Sequence, residues 1–81
     1  MISKKYKYFT IQQASTDDPP GKPYYFVMNN KSRGRDTLGV IAWYEPWKKY
    51  VLESEQRVIW SADCLANVIE FLNELNKEKA G

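Results

Sequence analysis

An α+β fold is predicted: an antiparallel β-sheet of four to five strands with one C-terminal helix packed on one face. Three observations lead there. Short segments rich in aromatic and β-branched residues alternate with turn-forming clusters as far as Trp60. Two of these segments flank the corner Trp43-Tyr44-Glu45-Pro46-Trp47, which reads as a hairpin. After Ser61 the apolar period changes to that of a helix.

Residues 6–11 make the first expected strand, with Phe9 and Ile11 on one face and Tyr6, Tyr8 and Thr10 on the other. Residues 14–23 read as an exposed loop, because Pro19, Pro20, Gly21 and Pro23 forbid a helix or a strand interior. Residues 24–28 are the second strand. Residues 29–36 form a turn-rich connection containing Lys31, Arg33, Gly34 and Arg35. Residues 38–44 and 49–53 are the third and fourth strands.

Pro46 suits the second position of a type I turn over Glu45, Pro46, Trp47 and Lys48. That turn sets Trp43 opposite Tyr50 and Ile41 opposite Leu52, so these four share one apolar face. Val40, Ala42, Tyr44, Lys49, Val51 and Glu53 fall on the other face. A one-residue slip would exchange the two faces. Residues 57–60 read as a short fifth strand.

Ser61 is the expected helix N-cap, its hydroxyl accepting from free first-turn amides, with Asp63 favourably placed in the first turn. The helix is expected over residues 61–79. Cys64, Leu65, Val68, Ile69, Phe71, Leu72 and Leu75 form its broad apolar stripe. Leu65, Val68, Ile69 and Leu72 are expected to meet Ile41, Trp43, Tyr50 and Leu52.

At 81 residues the chain is expected to form one domain over residues 1–81. So short a chain buries only about 60% of its unfolded surface. Aromatics make up 15% of it and compensate, each buried ring removing roughly 150–250 Å² from water. The formal charge of +2 falls short of the strongly basic face of a dedicated nucleic-acid binder. One cysteine, Cys64, cannot form an internal disulfide. No apolar run approaches the roughly 20 residues needed to span a bilayer, and no apolar signal region follows Met1. The expected compartment is the cytoplasm, with no membrane partner.

Two patterns carry a resemblance. They are Gly39-x-Ile41-x-Trp43-Tyr44-x-Pro46-Trp47-x-x-Tyr50 and Trp60-Ser61-x-x-Cys64-Leu65-x-x-Val68-x-x-Phe71-Leu72. Together they resemble a group of small, uncharacterised proteins encoded by bacteriophages and prophages. The match runs from Gly39 to Leu72, about half the chain. The resemblance implies a phage or mobile-element origin and brings no catalytic residues with it.

Histidine is absent, which removes Ser-His and Cys-His nucleophiles and the common zinc sites. No phosphate-binding glycine loop occurs. Asp17 with Asp18, and Glu53 with Glu55, are paired carboxylates in turn-forming contexts. Catalytic use needs desolvation, and solvated turn carboxylates are the simpler reading. Cys64 could be activated at a helix start, yet its register with Val68, Phe71 and Leu75 favours packing. No enzyme activity, metal or cofactor is expected.

The aromatics bear more weight. One helix covers one face of such a sheet, which leaves an apolar, aromatic face exposed, and such patches mark interaction sites. The expected function is that of a small non-enzymatic accessory protein of a phage or mobile element. It would bind a host or phage protein, as an inhibitor of host defence, and self-association through the open face is a further expectation. The expected partner-binding residues are Tyr44, Trp47 and Lys49 at the hairpin, with Arg33 and Arg35 in the basic connection. Two alternatives stand beside this. One is a single-stranded nucleic-acid module stacking bases on Tyr6, Tyr8, Tyr24 and Tyr44. The other is a phage structural or assembly component.

Overall fold

The computed structural model describes residues 2–31 and 36–80, the side chains of 78–80 excepted. Its strands are β1 (Ser3–Lys5), β2 (Phe9–Asp17), β3 (Pro23–Asn29), β4 (Thr37–Tyr44) and β5 (Lys49–Ser54), followed by the helix α1 (Ala62–Ala80). Each strand pairs antiparallel with the next, giving a five-stranded meander in the order β1-β2-β3-β4-β5. The predicted class holds.

The membership of the sheet differs from expectation at both ends. Residues 6–8 are a turn, not a strand: the Tyr6 amide donates to the Phe9 carbonyl at 2.8 Å. Asn30 pins that turn from across the sheet. Its side-chain amide donates to the Tyr6 carbonyl at 2.9 Å, its side-chain oxygen accepts from the Thr10 hydroxyl, and its backbone amide donates to the Tyr8 carbonyl. The strand lies upstream, where Lys4 pairs with Ile11.

The predicted strand over residues 57–60 is irregular. Arg57 takes a left-handed backbone with φ of 63°, which breaks an extended run. Ile59 stands 94% exposed, while Trp60 turns inward against the edge of Phe9 at 6.3 Å. The Trp60 indole nitrogen also donates to the Ser54 hydroxyl at 2.8 Å. The expected loop over residues 14–23 is likewise shorter than predicted. β2 continues to Asp17 through a register shift, and Asp17 pairs with Pro23. The turn is confined to residues 18–22, with Lys22 donating to the Pro19 carbonyl at 2.9 Å. Pro23 sits at the first position of β3, where a missing N–H costs least.

The central hairpin keeps its predicted register: Trp43 pairs with Tyr50 and Ile41 with Leu52. Gly39, opposite Ser54, permits a close approach of β4 to β5. A Cβ there would stand 2.8 Å from the Glu53 carbonyl oxygen and 3.1 Å from Leu52 Cδ1.

The core lies between one sheet face and α1. Phe9, Ile11, Tyr25, Val27, Ile41 and Tyr50 come from the strands, and Val68, Phe71 and Leu75 from the helix. Phe71 meets Tyr25 edge to face at 5.1 Å. The rotation of the helix differs from the expected one. Leu65 and Ile69 are 41% and 55% exposed, and Leu72 is half-buried, so the inward stripe is Val68, Phe71 and Leu75 with Cys64 beside it. Two polar contacts hold this rotation. Glu70 reaches Lys4 of β1 at 3.3 Å on one flank. On the other, the Asn76 side chain accepts from the Tyr50 amide at 2.7 Å and donates to the Tyr50 carbonyl at 3.3 Å. Ser61 caps the helix as predicted, its hydroxyl accepting from the Cys64 amide at 3.2 Å.

Candidate functional site

The corner between β4 and β5 is built from its own residues. Glu45, Pro46 and Trp47 form one 3-10 turn, and the Lys48 amide donates to the Glu45 carbonyl at 3.1 Å. Lys48 adopts the left-handed conformation that lets the chain turn back into β5. The Glu45 carboxylate accepts from the Trp43 indole nitrogen at 2.6 Å.

The two tryptophans of the corner go to opposite sides. Trp43 lies at the margin of the core, edge-on to Tyr50 at 5.6 Å, with the Lys22 ammonium 4.0 Å over its ring. It lies on the expected apolar face but is half-buried there. The enclosed aromatics are Phe9, Tyr25, Tyr50 and Phe71. Trp47 instead meets Tyr44 edge to face at 5.0 Å, and the two are 64% and 37% exposed. Lys49 is exposed and paired in register with Tyr44. Tyr44, Trp47 and Lys49 are therefore brought together.

Behind them spreads the sheet face away from α1. The alternation and register put Tyr24, Phe26 and Met28 of β3 there, beside Val40 and Ala42 of β4 and Val51 of β5. All six are half-buried, with strand neighbours as their cover. Tyr24 meets Phe26 edge to face at 5.5 Å. Lys5, Lys49 and Glu53 stand exposed at its margins.

The expected site also takes in Arg33 and Arg35 and, for base stacking, Tyr6 and Tyr8. Arg33 and Arg35 lie outside the described residues. The connection carrying them leaves β3 at Asn29 and enters β4 at Thr37, the end of β4 opposite the hairpin. Eight residues of β4 span roughly 25 Å, so the basic connection and the aromatic corner root at opposite ends of the sheet. Tyr6 and Tyr8 pack against the helix-side core, Tyr6 on Phe9 at 5.2 Å. They do not join Tyr24 and Tyr44 in one stacking platform. Asp17, Asp18, Glu53 and Glu55 are exposed, as solvated carboxylates are.

Two features escaped the sequence reading. A groove of about 440 Å³ opens beside the start of α1, lined among others by Phe9, Leu38, Trp60, Cys64, Lys31 and Asp63. Cys64 is half-buried there, on the edge of the core. Tyr50 is enclosed with its hydroxyl unpartnered, and burial, helped by nearby Tyr25 and Asp17, pushes that hydroxyl up to about 12. No local signal marked either feature, since each depends on contacts distant in sequence.

A five-stranded antiparallel meander with one C-terminal helix on one face defines the class: a small α+β protein. No family model matches the chain, and no solved structure matches it. It is 30% identical over 60 residues to the "Uncharacterized 9.3 kDa protein" of Acholeplasma phage L2, across 74% of this chain and 77% of that relative. The chain belongs to the family of that small phage protein. Among the described residues no helix is long and apolar enough to cross a membrane.

Proposed function

We propose that this chain is a non-enzymatic phage accessory protein that binds a host protein through its open sheet face. Tyr44 and Trp47 are the anchors, Tyr24, Phe26 and Val40 the apolar floor, and Lys49 part of the polar rim. The observation that carries this reading is the exposed Tyr44–Trp47 pair at the end of a half-buried apolar sheet face. Aromatic anchors within a polar rim are the usual composition of binding hot spots. A patch of this kind on a small chain marks an interaction surface. The target class is a host defence or regulatory protein, inhibited by stoichiometric binding. That assignment rests on the phage kinship and on analogy.

The test is affinity capture from host lysate, with and without nuclease, using the parent and the Tyr44→Ala and Trp47→Ala variants. A nuclease-resistant protein lost with either variant is the expected result. Recovery that disappears with nuclease and falls steeply with salt would replace this reading with nucleic-acid binding. Retention of the partner by both variants would move the site off the sheet face, toward the helix surface around Asn67, Glu70 and Glu74.

A further inference from the structure

β5 is the last strand of the sheet, and among the described residues no strand lies along one side of its backbone. The Asn76 clasp shows which groups point off that edge. Tyr50 offers both its N–H and its C=O outward, and Asn76 takes both. Strand geometry repeats every two residues, so Leu52 offers its N–H and C=O in the same direction. Such an edge is a template for another strand unless something blunts it. At the other edge of the sheet, β1 has only three residues. β5 has six, with no proline and no bulge in its pairing to β4.

The helix adds an apolar wall to the same edge. Asn76 faces β5, whereas Glu70 faces β1. Residues seven and eleven positions before Asn76 share its flank. These are Ile69 and Leu65, both exposed. The edge therefore presents outward backbone groups below and two uncovered aliphatic side chains above.

We propose that this edge pairs with β5 of a second copy of the chain, antiparallel about a two-fold axis at Val51. Charge complementarity selects this occupant and this register. Pairing about Val51 sets Lys49 of one copy opposite Glu53 of the other, twice. It also joins Tyr50 of each copy to Leu52 of the other through the outward groups just described. Lys49, Val51 and Glu53 share the open face, so the opposed charges lie at side-chain contact distance. A register about Glu53 would leave the Asn76 clasp closed, but it opposes Glu53 to itself.

Asn76 is thus the competitor of the second copy. Each copy gives up the two hydrogen bonds of its clasp, and each new Tyr50–Leu52 pair restores two. Hydrogen bonding nearly balances. Burial of Leu65 and Ile69 against the other copy and the reciprocal Lys49–Glu53 pairs supply the net drive. The assembly is isologous and closed, and it joins the two open faces into one continuous surface.

Sedimentation equilibrium of the purified protein, from micromolar to millimolar, tests the proposal without reference to any host partner. The parent is expected to show a reversible monomer–dimer equilibrium. Asn76→Ala is expected to tighten it by about tenfold, the competitor having gone. Lys49→Glu and Glu53→Lys are each expected to weaken it by roughly tenfold or more, because each opposes like charges. An equimolar mixture of those two variants is expected to regain parental association, since opposite charges then face each other in a mixed dimer. Purely monomeric parent and Asn76→Ala proteins at millimolar concentration would overturn the proposal. So would a mixture that associates no better than its components.

Discussion

The two faces of the sheet come from the same strands, often from adjacent residues, and meet opposite fates. On one, Phe9, Ile11, Val27 and Ile41 are sealed by α1. On the other, Phe26, Val40, Ala42 and Val51 keep contact with solvent, although they are just as apolar. Hydrophobicity alone does not decide which face is core; the single helix does. The covered face holds the stability, and the open face keeps uncovered apolar surface. Trp43 and Trp47 show the same division within one corner.

Substitutions on the two faces should therefore differ most in their effect on folding. Phe9→Ala, which empties a fully enclosed site, is expected to destabilise by about 3–5 kcal/mol. Trp43→Ala, at the margin, should cost about 2 kcal/mol. Urea denaturation midpoints measure both, and a Trp43 loss equal to that of Phe9 would erase the distinction between core and margin.

Gly39→Ala is expected to cost about 1–3 kcal/mol, because the added methyl group meets the Glu53 backbone oxygen and that neighbour cannot rotate away. The same measurement applies, and an unchanged midpoint would show that β5 yields easily.

A condition-dependent effect singles out Tyr50. Its hydroxyl, at about 12 when folded, stands above its ordinary value of 10. Between pH 10 and about 12 the unfolded chain has released a proton that the folded chain retains, so stability falls as pH rises through that window. Below pH 10 both states are neutral and the contribution is flat. Tyr50→Phe should remove the extra alkaline loss and cost little at pH 7, because the hydroxyl has no partner. An identical alkaline slope in parent and variant would assign the loss elsewhere.

The smallest expected effect belongs to the open face. Tyr44→Ala and Trp47→Ala should each move stability by no more than about 0.5 kcal/mol. A thermal melt that drops as it does for Phe9→Ala would make that corner structural.

What was legible in the sequence was local. Pro46 with its flanking alternation fixed the hairpin register, and Ser61 marked the helix start. Strand identity at the ends was not legible. Tyr6 and Tyr8 have the same strand preference whether they extend a sheet or brace a turn, and Asn30, which decides, lies far along the chain. Val58, Ile59 and Trp60 posed the same ambiguity, resolved by the left-handed Arg57 and the inward Trp60. Helix rotation was undetermined because Leu65 and Ile69 widen the apolar arc. Lys4 and Tyr50 settle it from distant positions. Of the candidate site, the hairpin trio was readable from adjacency. The separation of Tyr6 and Tyr8 from Tyr24 and Tyr44 needed the tertiary contacts of the 6–8 turn.

The position of Asn76, late in the last helix, bears on how the chain is made. A ribosome delivers every strand of the meander before it delivers Val68, Phe71, Leu75 or Asn76. Until those residues emerge, the nascent sheet shows two apolar faces and an unguarded edge to its surroundings. Nascent chains on neighbouring ribosomes could then pair wrongly, and a premature stop before Leu75 would make that exposure permanent. The final turns of α1 are therefore the step at which the sheet gains cover for one face and a guard for its β5 edge.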